Sequence, residues 1–184
     1  MKILTSVLDP AVIDCLKNGG VVVARTDTIY GILARADDET AVKRVFDIKG
    51  RADTKSPIVL ISSYQQMFDQ LPQAAYQFSI QNWPAPITIA TPCHQAPWWL
   101  KRGNDEFGYR MPAVDDLRSL IEKVGPLIAP SANPEGATPA MSIEQAIDYF
   151  STKVDIYVDG GTVTDNTPSQ LIRVKDDGSL ERLR

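Results

Sequence analysis

The sequence predicts an α/β fold in which helices pack on a mixed β-sheet. Short apolar runs alternate with amphipathic segments along the whole chain, and such alternation is typical of α/β proteins. The first clear run, residues 21–24, is apolar on both faces, which indicates a strand buried inside a sheet. Near the C-terminal end the runs at 154–158, 171–174 and 180–183 follow one another closely, so we expect antiparallel members there.

Helix-capping residues and apolar runs predict the elements of the first part of the chain. Asp9-Pro10 supplies an N-cap and a proline at the first helical position, and Gly19-Gly20 ends that helix. The strand at 21–24 and a loop at 25–31 come next. Asp38-Glu39-Thr40 then begins a second helix, whose apolar face is formed by Val42, Val45, Phe46 and Ile48.

Strands and helices continue to alternate in the rest of the chain. After a strand at 57–61, Ser63 to Gln66 has the pattern of a capping box for a short helix. The remaining predicted elements are a helix at 72–82 broken by Trp83–Pro86, strands at 87–90 and 107–111, a helix at 113–124, a strand at 127–129 and a helix from Ser142 to Phe150. No linker or repeat interrupts them, which predicts one domain over residues 1–184.

Composition narrows the classes of function. The chain has 184 residues and a formal net charge of −4, so tight unspecific binding of nucleic acid is not expected, although weak RNA binding at a local basic patch stays open. Cys15 and Cys93 form no C-x-x-C pattern and His94 is the only histidine, which predicts a cytoplasmic protein without a metal site of its own. No apolar run could span a bilayer and the first residues do not resemble a signal peptide, so we expect no membrane contact.

Three polar segments are candidates for a ligand site, because ligands of open α/β sheets bind beyond the strand ends. Residues 25–31 carry two threonines and an aspartate before Gly31, a set that can bind polar ligand atoms or simply form a turn. Residues 129–136 offer a serine and an asparagine that could bind a phosphate or a nucleoside, and these residue types are also common in turns.

The remaining segment, residues 49–57, carries three cations around a glycine. Lysine and glycine are common at helix C-termini, which explains Lys49 and Gly50 without any ligand. Lys55 lies beyond the helix, however, and a converging set of Lys49, Arg51 and Lys55 suits a polyphosphate. The usual G-x-x-x-x-G-K-[ST] and G-x-G-x-x-G loops are absent, so a nucleotide site here would be of an unusual kind.

Taken in order, these segments resemble the YrdC-like family of threonylcarbamoyl-AMP synthases. That family has a P-T-[DE]-T-x-Y-G-L segment, then K-x-R, W-P-G-P-x-T, R-x-P, S-x-N and a late P-S-T. The corresponding segments here are Arg25–Ile32, Lys49–Arg51, Trp83–Thr88, Arg110–Pro112, Ser131–Asn133 and Pro168–Gln170. The chain departs from the family pattern at Arg25, Ala52, Ala85, Pro134-Glu135 and Gln170.

The resemblance implies a YrdC-like open, twisted, mixed β-sheet with helices packed on it and a concave ligand cleft, in the short single-domain form. It implies a nucleotidyltransferase that joins L-threonine, bicarbonate and ATP into threonylcarbamoyl-adenylate and releases pyrophosphate. ATP would be a substrate that arrives with Mg²⁺, and no tightly bound cofactor is expected. The product would pass to a separate tRNA-modifying complex for the threonylcarbamoyladenosine modification of tRNA.

The resemblance also assigns roles to individual residues. Lys49 and Arg51 would be the catalytic pair, because phosphoryl chemistry needs positioning and charge neutralisation more than covalent help. The ATP-binding residues would be Lys49, Arg51, Lys55, Ser131, Asn133 and Arg184. The threonine-binding residues would be Thr26, Thr28, Arg110 and Ser169, with Arg110 suited to the carboxylate. Asp27 would lie nearby without a chemical step, and no general base is identified.

Two alternatives stay open at the level of sequence. The departures at Arg25, Gln170 and Pro134-Glu135 would fit a paralogue that has the same ATP cleft but uses a different amino acid or acyl substrate. A non-catalytic RNA-binding module is the second alternative, because a concave face can carry positive charge, although the acidic total charge argues against it.

Overall fold

A computed structural model describes residues 2–50 and 54–184. The helices within these ranges are α1 Pro10–Lys17, α2 Glu39–Lys49, α3 Gln73–Asn82, α4 Trp98–Lys101, α5 Asp115–Val124 and α6 Ile143–Phe150, with short 3₁₀ helices at Tyr64–Gln66 and Ser151–Lys153. The strands are β1 Lys2–Leu4, β2 Val22–Arg25, β3 Tyr30–Arg35, β4 Val59–Leu60, β5 Ile87–Pro92, β6 Glu106–Arg110, β7 Leu127–Ile128, β8 Ile156–Val158, β9 Gln170–Val174 and β10 Leu180–Arg182.

The described strands form one open, mixed sheet in the order β1-β8-β2-β3-β7-β4-β6-β5-β9-β10. β8 pairs in parallel with β1 and with β2, and β4–β6 and β5–β9 are also parallel. The remaining pairs, among them β9–β10, are antiparallel. The predicted mixed α/β sheet is therefore confirmed. Of the closely spaced C-terminal strands, β9 and β10 pair with each other, whereas β8 inserts between β1 and β2.

Helices cover both faces of the sheet, which is why the strands are apolar on both faces. Side chains alternate across a strand: Val21 and Val23 pack into the core beneath α2 and α6, while Val22 and Ala24 pack into the core beneath α1 and α5. The helices complete these cores with apolar stripes, for example Val42, Val45 and Phe46 of α2 on one side and Leu117, Leu120, Ile121 and Val124 of α5 on the other.

Three of the predicted helix starts are confirmed in atomic detail. The side chain of Asp9 accepts from the Ala11 amide, that of Asp38 from the Ala41 amide, and that of Ser142 from the Gln145 amide. Such caps satisfy amide groups that have no partner inside the helix.

The predicted capping box at Ser63 is wrong, although a short 3₁₀ helix does form there. Ser63 makes no side-chain cap bond. Gln66 instead accepts from the Ser62 amide at 2.7 Å and donates to the carbonyl of Ile121 at 3.1 Å, so it fastens the turn to α5. A bond to a distant helix therefore replaces the local bond that the sequence pattern predicts.

Strands β1 and β3 and helix α4 were not predicted. The loop expected at residues 25–31 is in fact a tight connection between β2 and β3, in which the Thr26 amide donates to the Ile29 carbonyl at 3.0 Å. β3 has β2 on one side and β7 on the other, and it is buried along almost its whole length. Its backbone thus finds partners in two strands, one of them nearly a hundred residues away in sequence.

Candidate functional site

A cavity of about 370 Å³ opens beside the β2–β3 connection, the loop after β7 and the start of β9. Six of the residues predicted to bind substrates line it, and they come from five separate parts of the chain: Thr26, Thr28, Arg110, Ser131, Ser169 and Arg184. The fold therefore brings together the hydroxyl groups and arginines that the sequence could only place in order.

The two loops that form one wall are joined through their backbones. Gly31 and Ser131 make an antiparallel bridge, in which the Ile32 amide donates to the Pro130 carbonyl and the Ala132 amide to the Tyr30 carbonyl, both at 2.8 Å. A Cβ on Gly31 would lie 3.2 Å from Thr26 Cγ2 and 3.4 Å from the Pro130 carbonyl oxygen. Glycine therefore allows the two loops to approach closely at this point.

The β2–β3 connection presents two hydroxyl groups to the cavity. Thr26 is buried and its hydroxyl donates to the Ile29 carbonyl at 2.8 Å. Because the Thr26 proton is used there, the 3.1 Å contact between the two hydroxyls is best satisfied with Thr28 as donor and Thr26 as acceptor. The Thr28 oxygen then keeps its lone pairs, so it can accept a hydrogen bond from a ligand.

Two arginines give the cavity its positive charge. Arg110 is only 3% exposed, and its Nη2 lies 3.1 Å from Oδ1 of the buried Asp27. Neither that oxygen nor Arg110 Nε has a hydrogen bond of good geometry within the described residues. Burial lowers the pKa of Arg110; the charge of Asp27 opposes this effect and that of Arg184 adds to it. A buried carboxylate balances only one of the two cations, so the cavity favours an anion.

Arg184 reaches the cavity from the end of the described chain. Its Nη2 donates to both the carbonyl and the hydroxyl of Ser169, each at 3.3 Å. Burial lowers the pKa of Arg184 as well. Arg184 therefore contacts Ser169 while Arg110 pairs with Asp27, and both arginines line the cavity.

Lys49 lies beneath the wall of the cavity rather than in it. The side chain is buried, and its ammonium group donates to the carbonyls of Ser131 and Asn133, the latter at 2.5 Å. The Ser131 hydroxyl donates to the Asn133 side-chain oxygen at 2.5 Å, and the Asn133 side-chain nitrogen donates to the Pro134 and Ala137 carbonyls at 2.8 Å. Lys49, Ser131 and Asn133 thus form one hydrogen-bonded unit.

Lys55 stands on the outer side of the same loop. Its ammonium group pairs with the Glu135 carboxylate, and the Lys55 side chain is 56% exposed. The Glu135 amide in turn donates to the Lys49 carbonyl at 2.8 Å. Lys55 is not part of the cavity wall. Arg51, the other predicted cation, lies outside the described residues.

The departures from the family pattern that the structure describes make contacts other than lining the cavity. Arg25 donates to the Gly160 and Thr162 carbonyls at 3.1 and 3.4 Å and so fastens a different loop. Gln170 is exposed, and Glu135 pairs with Lys55. Of the departures that fall within the described residues, none lines the cavity; Ala52 falls outside them.

Two polar residues near the cavity were missed as individual site residues. Ser56 lines the wall and its hydroxyl donates to the Lys101 carbonyl at 2.8 Å. Thr88 is fully buried behind the wall, where its hydroxyl lies 2.9 Å from that of Ser169. The only signals for them came from two motifs, since Ser56 belongs to the basic segment and Thr88 ends the tryptophan turn.

The part of the chain that the structure describes contains no group of three or more His, Cys, Asp or Glu side chains arranged to hold a metal ion. Within the same residues, no helix is long and apolar enough to cross a membrane.

The amino-acid sequence of the chain is similar to a family model and to curated proteins. The family model for Sua5, YciO and YrdC proteins, whose description reads "Telomere recombination", matches residues 14–184. A threonylcarbamoyl-AMP synthase of Pyrococcus abyssi is 33% identical over 85% of this chain and 48% of its own length. One of Marinobacter nauticus is 30% identical over 85% of each chain. The present chain therefore spans about half the length of the Pyrococcus relative and most of the Marinobacter one.

A solved structure shares the fold. The crystal structure of P. abyssi Sua5 complexed with L-threonine superposes with a TM-score of 0.87 at 30% identity, and the match covers 100% of this chain and 56% of the other. The likeness therefore extends over the whole sheet and both layers of helices.

Proposed function

The chain belongs to the Sua5/YciO/YrdC family, and from this premise we propose that it makes threonylcarbamoyl-AMP from L-threonine, bicarbonate and ATP. The observation that carries the proposal is the cavity in which Arg110, Arg184 and the hydroxyls of Thr28 and Ser169 converge beside the Ser131 loop. The names of the relatives and the threonine complex of Sua5 support the same reaction. Residues 1–184 would act as one domain.

In this proposal the amino acid binds between the arginines and the hydroxyl groups. Its carboxylate faces Arg110 and Ser169, because a buried guanidinium and a hydroxyl donor suit an anion. Its amine faces the Thr28 oxygen, which is free to accept. The departures that motivate a paralogue lie outside the cavity, which favours threonine over a different amino acid.

The reaction has two bond-forming steps. The threonine nitrogen attacks the carbon of bicarbonate, water leaves, and a carbamate results. A carbamate oxygen then attacks the α-phosphorus of ATP while the bond from that phosphorus to the bridging oxygen breaks, so pyrophosphate leaves with its Mg²⁺. The enzyme would be a nucleotidyltransferase, and its task is to align the two substrates and neutralise the charge that develops on the phosphates.

The nucleotide would lie along the Ser131–Asn133 loop. Lys49 already contacts this loop from below, and it keeps the loop in place while Ser131 and Asn133 contact the nucleotide. Lys55 exchanges Glu135 for a phosphate oxygen when ATP binds, because both side chains are partly exposed and an exposed ion pair is weak. Arg51 is proposed as the catalytic cation that contacts the phosphates, whereas Lys49 acts through the loop that it holds. Arg184 is proposed as a contact shared by both substrates.

The product would pass to a separate tRNA-modifying complex. A protein that releases a small acyl-adenylate needs no tight hold on tRNA, and a net charge of −4 agrees with this. Catalysis in the cytoplasm is proposed as part of the same role.

Pyrophosphate release by the purified protein tests the proposal. The protein is mixed with ATP, Mg²⁺, bicarbonate and each amino acid in turn. Release that requires both threonine and bicarbonate supports the synthase. Release with another amino acid identifies a paralogue, and binding of RNA without any ATP turnover identifies the non-catalytic module.

Replacing Arg51 sharpens the test of the phosphate site. The Arg51→Ala variant should lose turnover while its unfolding midpoint stays within error, because the change removes a charge that the phosphates need and the fold does not. Lys43→Ala is the matched control, since Lys43 is a cation on the exposed side of α2 with 73% of its side chain accessible. Full activity of Arg51→Ala would refute this placement of the triphosphate.

A further inference from the structure

A pair of buried hydroxyl groups lies behind the cavity wall. Thr88 on β5 is fully buried, and its Oγ1 lies 2.9 Å from Oγ of Ser169, which precedes β9 and is 2% exposed. Arg184 Nη2 is the other neighbour of the Ser169 hydroxyl, at 3.3 Å. Ser169 lines the cavity and Thr88 does not, so any effect of Thr88 on a ligand must act through Ser169.

The hydrogen bonds fix the direction of each proton in this pair. Ser169 is the only partner of the Thr88 hydroxyl within the described residues. If Ser169 donated to Thr88, the Thr88 proton would be buried without an acceptor, which costs about 1–3 kcal/mol. Thr88 therefore donates to Ser169. The guanidinium of Arg184 can only donate as well, so both lone pairs of the Ser169 oxygen are used. The remaining Ser169 proton has to be donated into the cavity.

Packing holds Thr88 in the rotamer that this arrangement needs. Its methyl group fills the space left by the missing side chain of Gly108 on β6, and Leu171 Cδ1 and Ile58 Cγ1 close the same space from the cavity side. A β-branched side chain has few rotamers, so fixing the methyl group also fixes the hydroxyl. The direction of the Thr88 proton is therefore built into the sheet.

We propose that Thr88 is a positioning residue that makes Ser169 an obligate hydrogen-bond donor to the carboxylate of the bound amino acid. The inference rests on the proposed function, because threonine supplies that carboxylate. It also explains why a serine donor shares the cavity with two arginines: a carboxylate can accept from all three groups, whereas an ammonium group would meet three donors. Thr88 thus helps to set which end of the amino acid binds at Arg110.

The test removes the Thr88 hydroxyl without changing its shape. In Thr88→Val the Ser169 oxygen loses one of its two donors and its hydroxyl is no longer held in one rotamer, so the KM for threonine should rise about tenfold while kcat stays within about twofold. Thr88→Ser keeps the hydroxyl and should keep the KM within about twofold of the wild type. Thr91→Val is the matched control, because Thr91 is equally buried on the same strand and its hydroxyl has no hydrogen-bond partner within the described residues.

A double-mutant cycle with Ser169→Ala separates positioning from a general structural role. If Thr88 acts through Ser169, Thr88→Val should raise the KM in the wild-type background but have no further effect in Ser169→Ala. Equal effects in the two backgrounds, no effect in either, or a Thr88→Ser variant as impaired as Thr88→Val would each overturn the inference. Thr88→Ala replaces Thr88→Val in the cycle if the valine variant does not fold.

The wild-type protein is measured first, which keeps the two proposals apart. Wild-type protein that releases pyrophosphate only with threonine sustains the proposed function, and the cycle then decides the role of Thr88 alone. Wild-type protein that neither turns over nor binds threonine refutes the proposed function, and the role of Thr88 in holding a carboxylate falls with it.

Discussion

Replacing Asp27 by asparagine should destabilise the fold much more than the same change at Asp47. Asp27 lies 3.1 Å from Arg110, and the two side chains are only 1% and 4% exposed. Asparagine leaves the guanidinium buried without a counter-charge, and breaking such a pair costs about 3–5 kcal/mol. Arg110 borders the cavity, so water can reach part of it, and we expect a loss near the lower value, about 3 kcal/mol.

The Asp47→Asn variant is the matched control because it breaks an exposed pair. Asp47 bonds Lys43 at 2.8 Å one turn away on α2, and 62% and 73% of the two side chains are accessible. Pairs of this kind contribute about 0.3–0.5 kcal/mol. For a chain of this size, about 3 kcal/mol corresponds to a fall in Tm of about 6–12 °C, whereas the control should change by no more than about 2 °C.

Urea denaturation followed by circular dichroism measures both variants, with the slope of the transition checked for a change in the unfolded state. The double variant Asp27→Asn/Arg110→Gln should recover at least half of the loss, because it removes the unpaired charge as well. A loss in Asp27→Asn no larger than in Asp47→Asn would show that burial of Arg110 does not depend on its partner, and would refute the reasoning.

Two further predictions concern packing and pH. Gly108→Ala would press a Cβ against the Thr88 methyl group far inside van der Waals contact, so it should cost about 1–3 kcal/mol in urea denaturation; adding Thr88→Ser should restore most of this, and additive losses would refute the contact. Burial alone would raise the pKa of Asp155, but Arg44 and the Val21 amide outweigh it and hold the pKa below its ordinary value of 3.8. The stability advantage over Asp155→Asn should therefore be complete above that value and decrease as the pH falls below it through the folded-state pKa, so an advantage that does not decrease with falling pH would contradict it.

Local patterns were sufficient for most of the elements. Asp9, Asp38 and Ser142 cap helices through bonds to residues two or three positions away, so a short window of sequence contains both partners. The failures were elements that depend on distant partners. The residues of β3 have no strong strand signal after Gly31, and they form a strand because β2 and β7 supply hydrogen bonds on both sides.

The candidate site divides in the same way. The ordered motifs named Thr26, Thr28, Arg110, Ser131, Ser169 and Arg184, and these residues line one cavity. The motifs did not distinguish Lys49, which holds the Ser131–Asn133 loop from below, from Lys55, which pairs with Glu135 on the outside. Spacing gives no information on which side of a loop a flexible lysine lies, because that depends on the chain packed against it.

The sequence by itself determined the α/β class, the helix caps and the ordered motifs that identify the family, because each is encoded by neighbouring residues. Only the tertiary structure decided which hydroxyl donates and which accepts. Thr88 and Ser169 are 81 positions apart, and Lys49 and Ser131 are 82 apart. A serine in a turn and a serine that must donate to a substrate look alike in sequence, and the difference lies in the partners that the folded sheet brings to its lone pairs.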